Sequence, residues 1–234
     1  MLKCMVNKLF KSSQMQEIRN YIKKLKFFST LDDEHIDIIT KISKSVKHVK
    51  NSILHYENDT NDKLHFLVSG LIKVYKIDKY DNEIFLYHIY EDSLISELTS
   101  IEINTIHCFS NAEFLEDSII LEIDFKQFKT QFLANNILND EFINEILLKT
   151  QQLHCVVNRE LVFDATAKVA YMLNDDLSIF NKLKRQDVSF MLHIQPETLS
   201  RVLKKLKRSG IIDVEQSNII IKDKLALEAI YKGM

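Results

Sequence analysis

The sequence predicts an α+β fold: an N-terminal double-stranded β-roll (jelly roll), a long helix and a C-terminal winged helix-turn-helix. Three observations lead to this prediction. Short runs rich in Val, Ile, Tyr and Phe succeed one another between residues 47 and 125. Helical periodicity dominates after them. The one proline in the 234 residues, Pro196, and one of the three glycines, Gly210, then bracket a basic segment.

We divide the chain accordingly into residues 1–135, 136–160 and 161–234. Residues 14–46 have helical texture, and Thr30 is positioned to cap a helix that has three acids in its first turn. The roll follows, with a candidate hairpin in which residues 65–77 and 82–90 flank the turn DKYDN.

Composition argues against several classes of protein. The N-terminus lacks the apolar run of a signal peptide, and no apolar stretch approaches the length of a membrane span. Cys4, Cys108 and Cys155 are far apart and form no CxxC pair, which favours free thiols in a reducing compartment and no structural zinc. We therefore expect a cytoplasmic protein with no membrane partner and no metal site.

Two adjacent apolar stripes run along the long helix. The first contains Phe142, Ile146, Leu153 and Val156, and the second contains Ile143, Leu147, Val157 and Leu161. One stripe is enough to dock a surface helix, so a second helix is expected to cover the other stripe. A coiled coil between two copies of the chain is the natural candidate. The alternative is a central helix that is buried within one chain.

Residues 196–209 predict one amphipathic helix. Pro196 suits its first position, and Gly210 suits the left-handed residue just past its end. Its apolar face is formed by Leu199, Val202, Leu203 and Leu206, and its polar face by Glu197, Ser200, Arg201, Lys204 and Arg208. A shorter helix over 185–192 and a turn over 193–195 precede it. Two alternating strands follow around Gln216–Ser217, so the segment has helix-turn-helix geometry with a β-hairpin wing.

Charge is concentrated in the same region. The window from Lys182 to Gly210 contains eight basic and two acidic residues, a net +6, so the rest of the chain carries −8 of the total of −2. A basic block on an acidic protein indicates a polyanion contact, although a solvated helix face would look the same.

The polar face of the second helix has the chemistry needed to read DNA. Arg201 can bond guanine O6 and N7, Glu197 can accept from cytosine N4, and Ser200 can bond either way. Lys204 and Arg208 lie further along, where phosphates are the nearer target. The alternative for Glu197 and Arg201 is a surface ion pair at i,i+4 spacing.

The segment KRQDVSFMLHIQPETLSRVLKKLKRSGII resembles the winged helix-turn-helix of the CRP/FNR family of bacterial transcription regulators. Its E-T-x-S-R pattern is similar to the FNR-type recognition helix, and Pro196 stands where cyclic-AMP-type members carry an arginine. The resemblance implies a homodimer that reads a TTGA-type inverted repeat. It also implies that Arg185 and Gln186 touch phosphates, and we assign Thr198 to the DNA backbone as well. RNA polymerase becomes a partner if the protein activates transcription.

The roll resembles the cyclic-nucleotide-binding domain of the same family, in which a glutamate and an arginine hold the ligand. Glu97 matches the glutamate, but residues 80–125 contain no arginine or lysine. A buried phosphate without a cation is costly, so we expect that cyclic AMP is not the effector. An FNR-type iron–sulfur cluster needs four cysteine ligands, and the chain has three cysteines.

The sequence leaves several signals open. We place the effector pocket around Glu97, His88, His107 and Cys108. His88, His107 and His154 are candidate axial ligands for haem, and Cys108 and Cys155 are candidate redox or nitrosative sensors. An organic ligand would also fit the sequence, as would control by the abundance of the protein alone.

Two other classes of protein, an enzyme and a protein-interaction module, compete with the DNA-binding regulator. A cupin-like enzyme in the roll would need an HxH set with a carboxylate, and no such spacing occurs. A protein-interaction module could instead bind an acidic partner through the basic helix. The sequence favours a DNA-binding regulator and not an enzyme.

Overall fold

The computed structural model describes residues 2–216 and 218–232, with side chains from residue 12 onward. Ser217, which the sequence places in the turn of the wing, lies outside the described residues, as do Met1, Gly233 and Met234. The chain forms two compact units, Met1–Gln152 and Leu153–Met234. The boundary therefore falls within the helix expected over residues 136–160.

The first unit begins with two helices, α1 (Leu2–Lys24) and α2 (Asp33–Lys41), joined by a 3-10 turn at Lys26–Phe28. The predicted cap at Thr30 is wrong. Asp32 caps α2, since its carboxylate accepts a hydrogen bond from the backbone N–H of His35 at 2.9 Å. Thr30 instead donates to Glu141 at 2.7 Å. The helical texture expected to reach residue 46 ends at Lys41, because the next residues form a strand.

Ten strands build the roll. They are β1 (Ser43–His48), β2 (Ile53–His55), β3 (Thr60–Asn61), β4 (Lys63–Ser69), β5 (Leu71–Ile77), β6 (Glu83–Tyr90), β7 (Ser93–Leu94), β8 (Ile106–His107), β9 (Asn111–Phe114) and β10 (Ser118–Asp124). Two four-stranded sheets have the orders β1-β10-β4-β7 and β2-β9-β5-β6, and β3 pairs with β8. All these pairs are antiparallel. The predicted double-stranded roll is confirmed.

Two apolar clusters hold the roll together. One packs α1 and α2 against the first sheet around Phe28, Phe66 and Phe128. The other contains side chains of both sheets, among them Leu67, Ile72, Phe114 and Ile120. Burial of these large side chains is the main stabilising contribution to the unit.

Gly70 turns the chain between β4 and β5. Its φ is +107°, a value that side chains with a Cβ rarely adopt. A Cβ built there would lie 2.0 Å from Oγ of Ser118. Both the backbone conformation and the close approach of β10 therefore require glycine at this position.

The helical texture predicted over 125–158 is interrupted. Helix α3 (Phe125–Gln131) is followed by a 3-10 turn at Leu133–Asn135, and the chain then takes left-handed φ values at Asn136 and Leu138. Helix α4 (Asn139–Val157) starts only after them and continues into a π-helical segment, Asn158–Val162.

The second unit contains five helices and a hairpin in its described residues. They are α5 (Ala165–Asp175), α6 (Leu177–Lys182), α7 (Arg185–Met191), α8 (Pro196–Arg208), β11 (Ile212–Glu215), β12 (Asn218–Ile221) and α9 (Lys224–Lys232). Strands β11 and β12 are antiparallel, and α5 packs against both α8 and α9. This is the predicted winged helix-turn-helix. In the described part of the chain, no helix has the combined length and apolarity needed to cross a bilayer.

Candidate nucleic-acid interface

Helix α8 begins at Pro196 and ends before Gly210. Gln195 precedes it in extended conformation, and Pro196 occupies the first turn, where a missing N–H costs no hydrogen bond. At the other end Gly210 has a φ of +71°. The N–H of Gly210 donates to the carbonyl of Lys207, and that of Ile211 donates to the carbonyl of Leu206. This pair of bonds is the Schellman motif, which ends the helix sharply and leads into the wing.

One face of α8 is packed and the other is open. Leu199, Val202 and Leu206 are buried, and the helix packs against α5, α7 and β11. The exposed residues are Glu197, Ser200, Arg201, Lys204 and Arg208, whereas Thr198 is half-buried. The structure therefore brings the three side chains predicted to read bases onto the exposed surface of the first two turns.

The polar side chains that are predicted to read bases have no hydrogen-bonding partner among the described residues. Among the described residues, Glu197, Ser200 and Arg201 form no side-chain hydrogen bond or ion pair, with one another or with the rest of the chain. The i,i+4 ion pair that was the alternative for Glu197 and Arg201 is thus not formed. Lys207 differs, because its ammonium pairs with Asp213 on β11 at 2.9 Å. The exposed side chains keep their donors and acceptors available for a ligand.

Helix α7 lies beside α8 and carries the two residues expected at phosphates. Arg185 is half-buried, with its guanidinium 4.7 Å from the centre of the Phe180 ring, and burial lowers its pKa. Its Nη1 is buried without a hydrogen-bond partner among the described residues. Gln186 is exposed. Ser189 is buried, and its small side chain allows the two helices to approach closely.

The turn between α7 and α8 is fixed by a charge cluster that the sequence did not reveal. Nδ1 of His193 lies 2.9 Å from Oε2 of Glu160, and Nζ of Lys168 donates to the carbonyl of Leu192 at 3.2 Å. Nε of Arg159 donates to Oε1 of Glu160 at 2.7 Å. Burial raises the pKa of Glu160, but the hydrogen bonds from Arg159 and His193 outweigh it and lower the pKa overall.

Glu97 and Cys108 are two of the four residues predicted to line an effector pocket. Glu97 accepts hydrogen bonds from the N–H of Phe109 at 2.8 Å, from Oγ of Ser110 at 2.9 Å and from the Tyr87 hydroxyl at 3.4 Å. Cys108 is buried nearby, and burial together with the charge of Glu97 raises its pKa to about 11. Glu97 and Cys108 thus share one environment, in which the thiol is held protonated.

The three candidate haem ligands occupy separate places. His88 follows Tyr87 on β6, so it points to the opposite face of the strand, and its ring packs on Phe85 with a centroid distance of 4.8 Å. His107 packs against Phe109 on β8, and His154 is exposed on α4. Where the structure describes the chain, no group of three or more His, Cys, Asp and Glu residues could hold a metal ion.

Lys149 is a charged residue close to Tyr87 that sequence reasoning missed. Its Nζ donates to the carbonyl of Ile95 at 3.4 Å and lies 5.8 Å from the centre of the Tyr87 ring. Burial lowers the pKa of Lys149 to about 8, although the charges of Glu97 and Glu145 act in the opposite direction. The positive charge missing from residues 80–125 is therefore supplied by α4, some 50 residues away from Glu97 in the sequence.

The exposed stripe of α4 differs from the predicted one at its first residue. Phe142 is buried in the core of the roll, 6.1 Å from Phe128 between ring centres, so it cannot lie on a dimer face. Val156 is half-buried, whereas Ile146 and Leu153 are exposed as expected. The exposed large apolar side chains of α4 are Ile143, Ile146, Leu147, Leu148, Leu153 and Val157.

Comparison with known proteins agrees with this architecture. Residues 45–135 match the family model of the cyclic nucleotide-binding domain, and residues 167–230 match that of the Crp-like helix-turn-helix domain. The chain is 22% identical over 200 residues to the anaerobic regulatory protein of Bacillus subtilis, covering 80% of this chain and 83% of that protein.

Solved structures show the same fold. FixK2 from Bradyrhizobium japonicum superimposes with a TM-score of 0.62 at 15% identity, covering 81% of this chain and 97% of its own. A CooA mutant from Carboxydothermus hydrogenoformans superimposes with a TM-score of 0.61 at 19% identity. The match covers 82% of this chain and 88% of the CooA chain. The two matched family models, which together cover more than half of the chain, show that it belongs to the CRP/FNR family of DNA-binding transcription regulators.

Proposed function

We propose that the protein is a homodimeric regulator that reads a TTGA-type inverted repeat through α8 and responds to a signal other than cyclic AMP. The observation that carries the proposal is the open polar face of α8, where Glu197, Ser200 and Arg201 are exposed and unpaired among the described residues. The buried face of the same helix fixes their direction.

Each side chain has a role that follows from its position. Arg201 offers two parallel N–H donors, which match O6 and N7 of guanine, while Glu197 and Ser200 contact neighbouring bases. Arg185, Gln186, Thr198, Lys204 and Arg208 hold phosphates. Phosphate contacts set the register of the protein on DNA, and the base contacts set its preference.

Dimer formation is proposed through α4. Its exposed face includes Ile143, Ile146, Leu153 and Val157. Together with Thr150 these residues are separated alternately by three and four positions, as in the seam of a coiled coil. A symmetric dimer presents two recognition helices to half-sites about one DNA turn apart, near 34 Å, and therefore requires an inverted repeat.

The signal is proposed to be a ligand without a cyclic phosphate. The carboxylate of Glu97 already receives hydrogen bonds from Phe109, Ser110 and Tyr87. Residues 80–125, which include Glu97, contain no arginine or lysine. A cation described beside this group is Lys149 on α4, whose pKa is lowered by burial and raised in part by the charge of Glu97. A regulator of this kind acts on the chromosome in the cytoplasm, and RNA polymerase becomes its partner wherever it activates.

The test is a competition experiment with full-length protein. Fluorescence anisotropy on a TTGA-type inverted repeat is measured against a duplex of the same composition with the half-sites scrambled, at two salt concentrations. We expect a preference of about 10³ or more for the repeat, and affinity for both duplexes that falls as salt rises. Equal affinity for the two duplexes would contradict the proposal.

A further inference from the structure

We propose that Glu160 is a positioning residue for the recognition helix: through His193 it holds the turn that leads into α8, and it ties that turn to the π-helical segment after α4. The proposal rests on the proposed reading of DNA by α8. Glu160 itself belongs to the second unit and needs no contact with DNA to act.

The turn is held at two successive residues. The carbonyl of Leu192 accepts from Lys168 at 3.2 Å, and the ring of His193 bonds Glu160 at 2.9 Å. Lys168 and Glu160 lie 3.6 Å apart, so both attachments converge on one carboxylate. Pro196 begins α8 three residues after His193, and the direction in which the helix leaves the turn depends on these bonds.

The backbone of His193 needs such support. Its φ is +50°, in the left-handed region that residues other than glycine rarely adopt. The side chain of His193 is 27% exposed and that of Glu160 26% exposed, so the pair is shielded from water only in part. The bond between the two side chains can hold the turn in this unfavourable conformation.

The surroundings make the carboxylate hard to replace. Arg159 and Lys168 are both buried, and both direct a cationic group at Glu160. Removal of the carboxylate would take one anionic contact from the buried Arg159 and one from the buried Lys168, and the turn would lose its bond through His193.

The location of Glu160 gives the cluster a regulatory use. It lies within the π-helical segment Asn158–Val162, and π-helical turns are uncommon and frequent at functional sites. If this π turn relaxed to α geometry, its side chains would move around the helix axis, and Glu160 would move relative to His193. A change in the segment that follows α4 would in this way reach the turn before α8.

The first experiment does not depend on DNA. Backbone amide exchange is measured by mass spectrometry in full-length wild type, Glu160→Ala, Glu160→Gln and His193→Asn. Asparagine tolerates the left-handed conformation, so His193→Asn removes the bond without new backbone strain. Glu228→Ala is the matched control, since it removes the ion pair of Glu228 with Lys232 on α9.

We expect at least tenfold faster exchange at residues 192–195 in Glu160→Ala and His193→Asn. Glu160→Gln should show a smaller change, because its amide oxygen can still accept from His193. The control should match the wild type. If exchange in this turn is unchanged in Glu160→Ala and His193→Asn, or rises equally throughout the second unit, the proposal is wrong.

The second experiment measures affinity for the inverted repeat and for scrambled DNA. We expect at least a tenfold loss on the repeat in Glu160→Ala, little change on scrambled DNA, and no further loss in the double variant with His193→Asn. Equal loss on both duplexes, or additive losses, would overturn the positioning role. If the wild type itself shows no preference, the proposed DNA reading fails, and amide exchange still decides whether Glu160 holds the turn.

Discussion

Nζ of Lys149 lies 5.8 Å from the centre of the Tyr87 ring, and the Tyr87 hydroxyl in turn bonds Glu97. A side chain of the long helix thus lies beside the hydrogen-bonded pair of Tyr87 and Glu97. Burial lowers the pKa of Lys149 to about 8, so its positive charge titrates close to neutral pH.

Lys149 should make stability depend on pH. Its pKa is lowered to about 8 in the folded protein, against 10.5 for an unperturbed lysine. Between these values the unfolded chain binds more protons than the folded one, so the free energy of unfolding should rise with pH across this range. The shift corresponds to at most about 3–4 kcal/mol. Urea unfolding at pH 7.5 and pH 10 should show this rise in the wild type and lose it in Lys149→Met.

The comparison must be made as a difference between the two proteins, since tyrosines also titrate near pH 10. Lys232→Met is a suitable control, because Lys232 is exposed and pairs with Glu228. An equal pH dependence in wild type and Lys149→Met would show that Lys149 carries no buried charge.

Cys108 should react slowly. Burial and the charge of Glu97 raise its pKa to about 11, so almost no thiolate is present at neutral pH. We expect iodoacetamide at pH 7.5 to leave Cys108 unmodified in the native protein and to label it fully after denaturation, as measured by peptide mass spectrometry. Rapid native labelling would instead support a role for Cys108 in thiol sensing.

Alanine substitutions at Gly70 and Gly210 should lower the free energy of unfolding by different amounts. Both Gly70 and Gly210 have positive φ, but only at Gly70 does an added Cβ collide, with Ser118. Gly210→Ala should cost about 1 kcal/mol from backbone strain alone, and Gly70→Ala clearly more. Thermal unfolding of both variants tests this order, and a similar loss in both would show that β10 moves aside without cost.

Substitutions at Leu153 and Phe142 should affect different properties: dimer formation at Leu153 and the stability of the fold at Phe142. Leu153 is 54% exposed, so Leu153→Lys should leave the free energy of unfolding of the monomer nearly unchanged and shift the protein from dimer to monomer. Phe142→Ala should instead destabilise the roll by about 3–5 kcal/mol, because it empties a core position. Analytical ultracentrifugation and urea unfolding distinguish the two effects. A Leu153→Lys protein that remains a dimer would place the dimer contact elsewhere.

The sequence predicted best what is encoded locally. Pro196 and Gly210 bound α8 because their backbone restrictions act at the residue itself, and the apolar spacing of the helix chose its buried face. The cap of α2 was misplaced because Thr30 and Asp32 both suit the position, and only the geometry of the turn selects Asp32.

Contacts between distant segments could not be foreseen. The first stripe predicted for α4 included Phe142, and nothing local shows that Phe142 meets Phe128 of the roll. Lys149 and Glu160 acquire their roles from packing against Tyr87 and His193, which are remote in sequence. The hydrogen bond from the Tyr87 hydroxyl to Glu97 likewise joins two strands and was not foreseen.

Reading of bases by α8 is the central claim, and Arg201→Ala tests it most directly. Its affinity is compared with that of the wild type on a series of duplexes in which each base pair of the half-site is changed in turn. We expect a loss of about 1–3 kcal/mol on the intact site and relaxed preference at one G·C pair, with discrimination kept at the remaining positions. A uniform loss on every duplex would contradict the account, since Arg201 would then contact only phosphate.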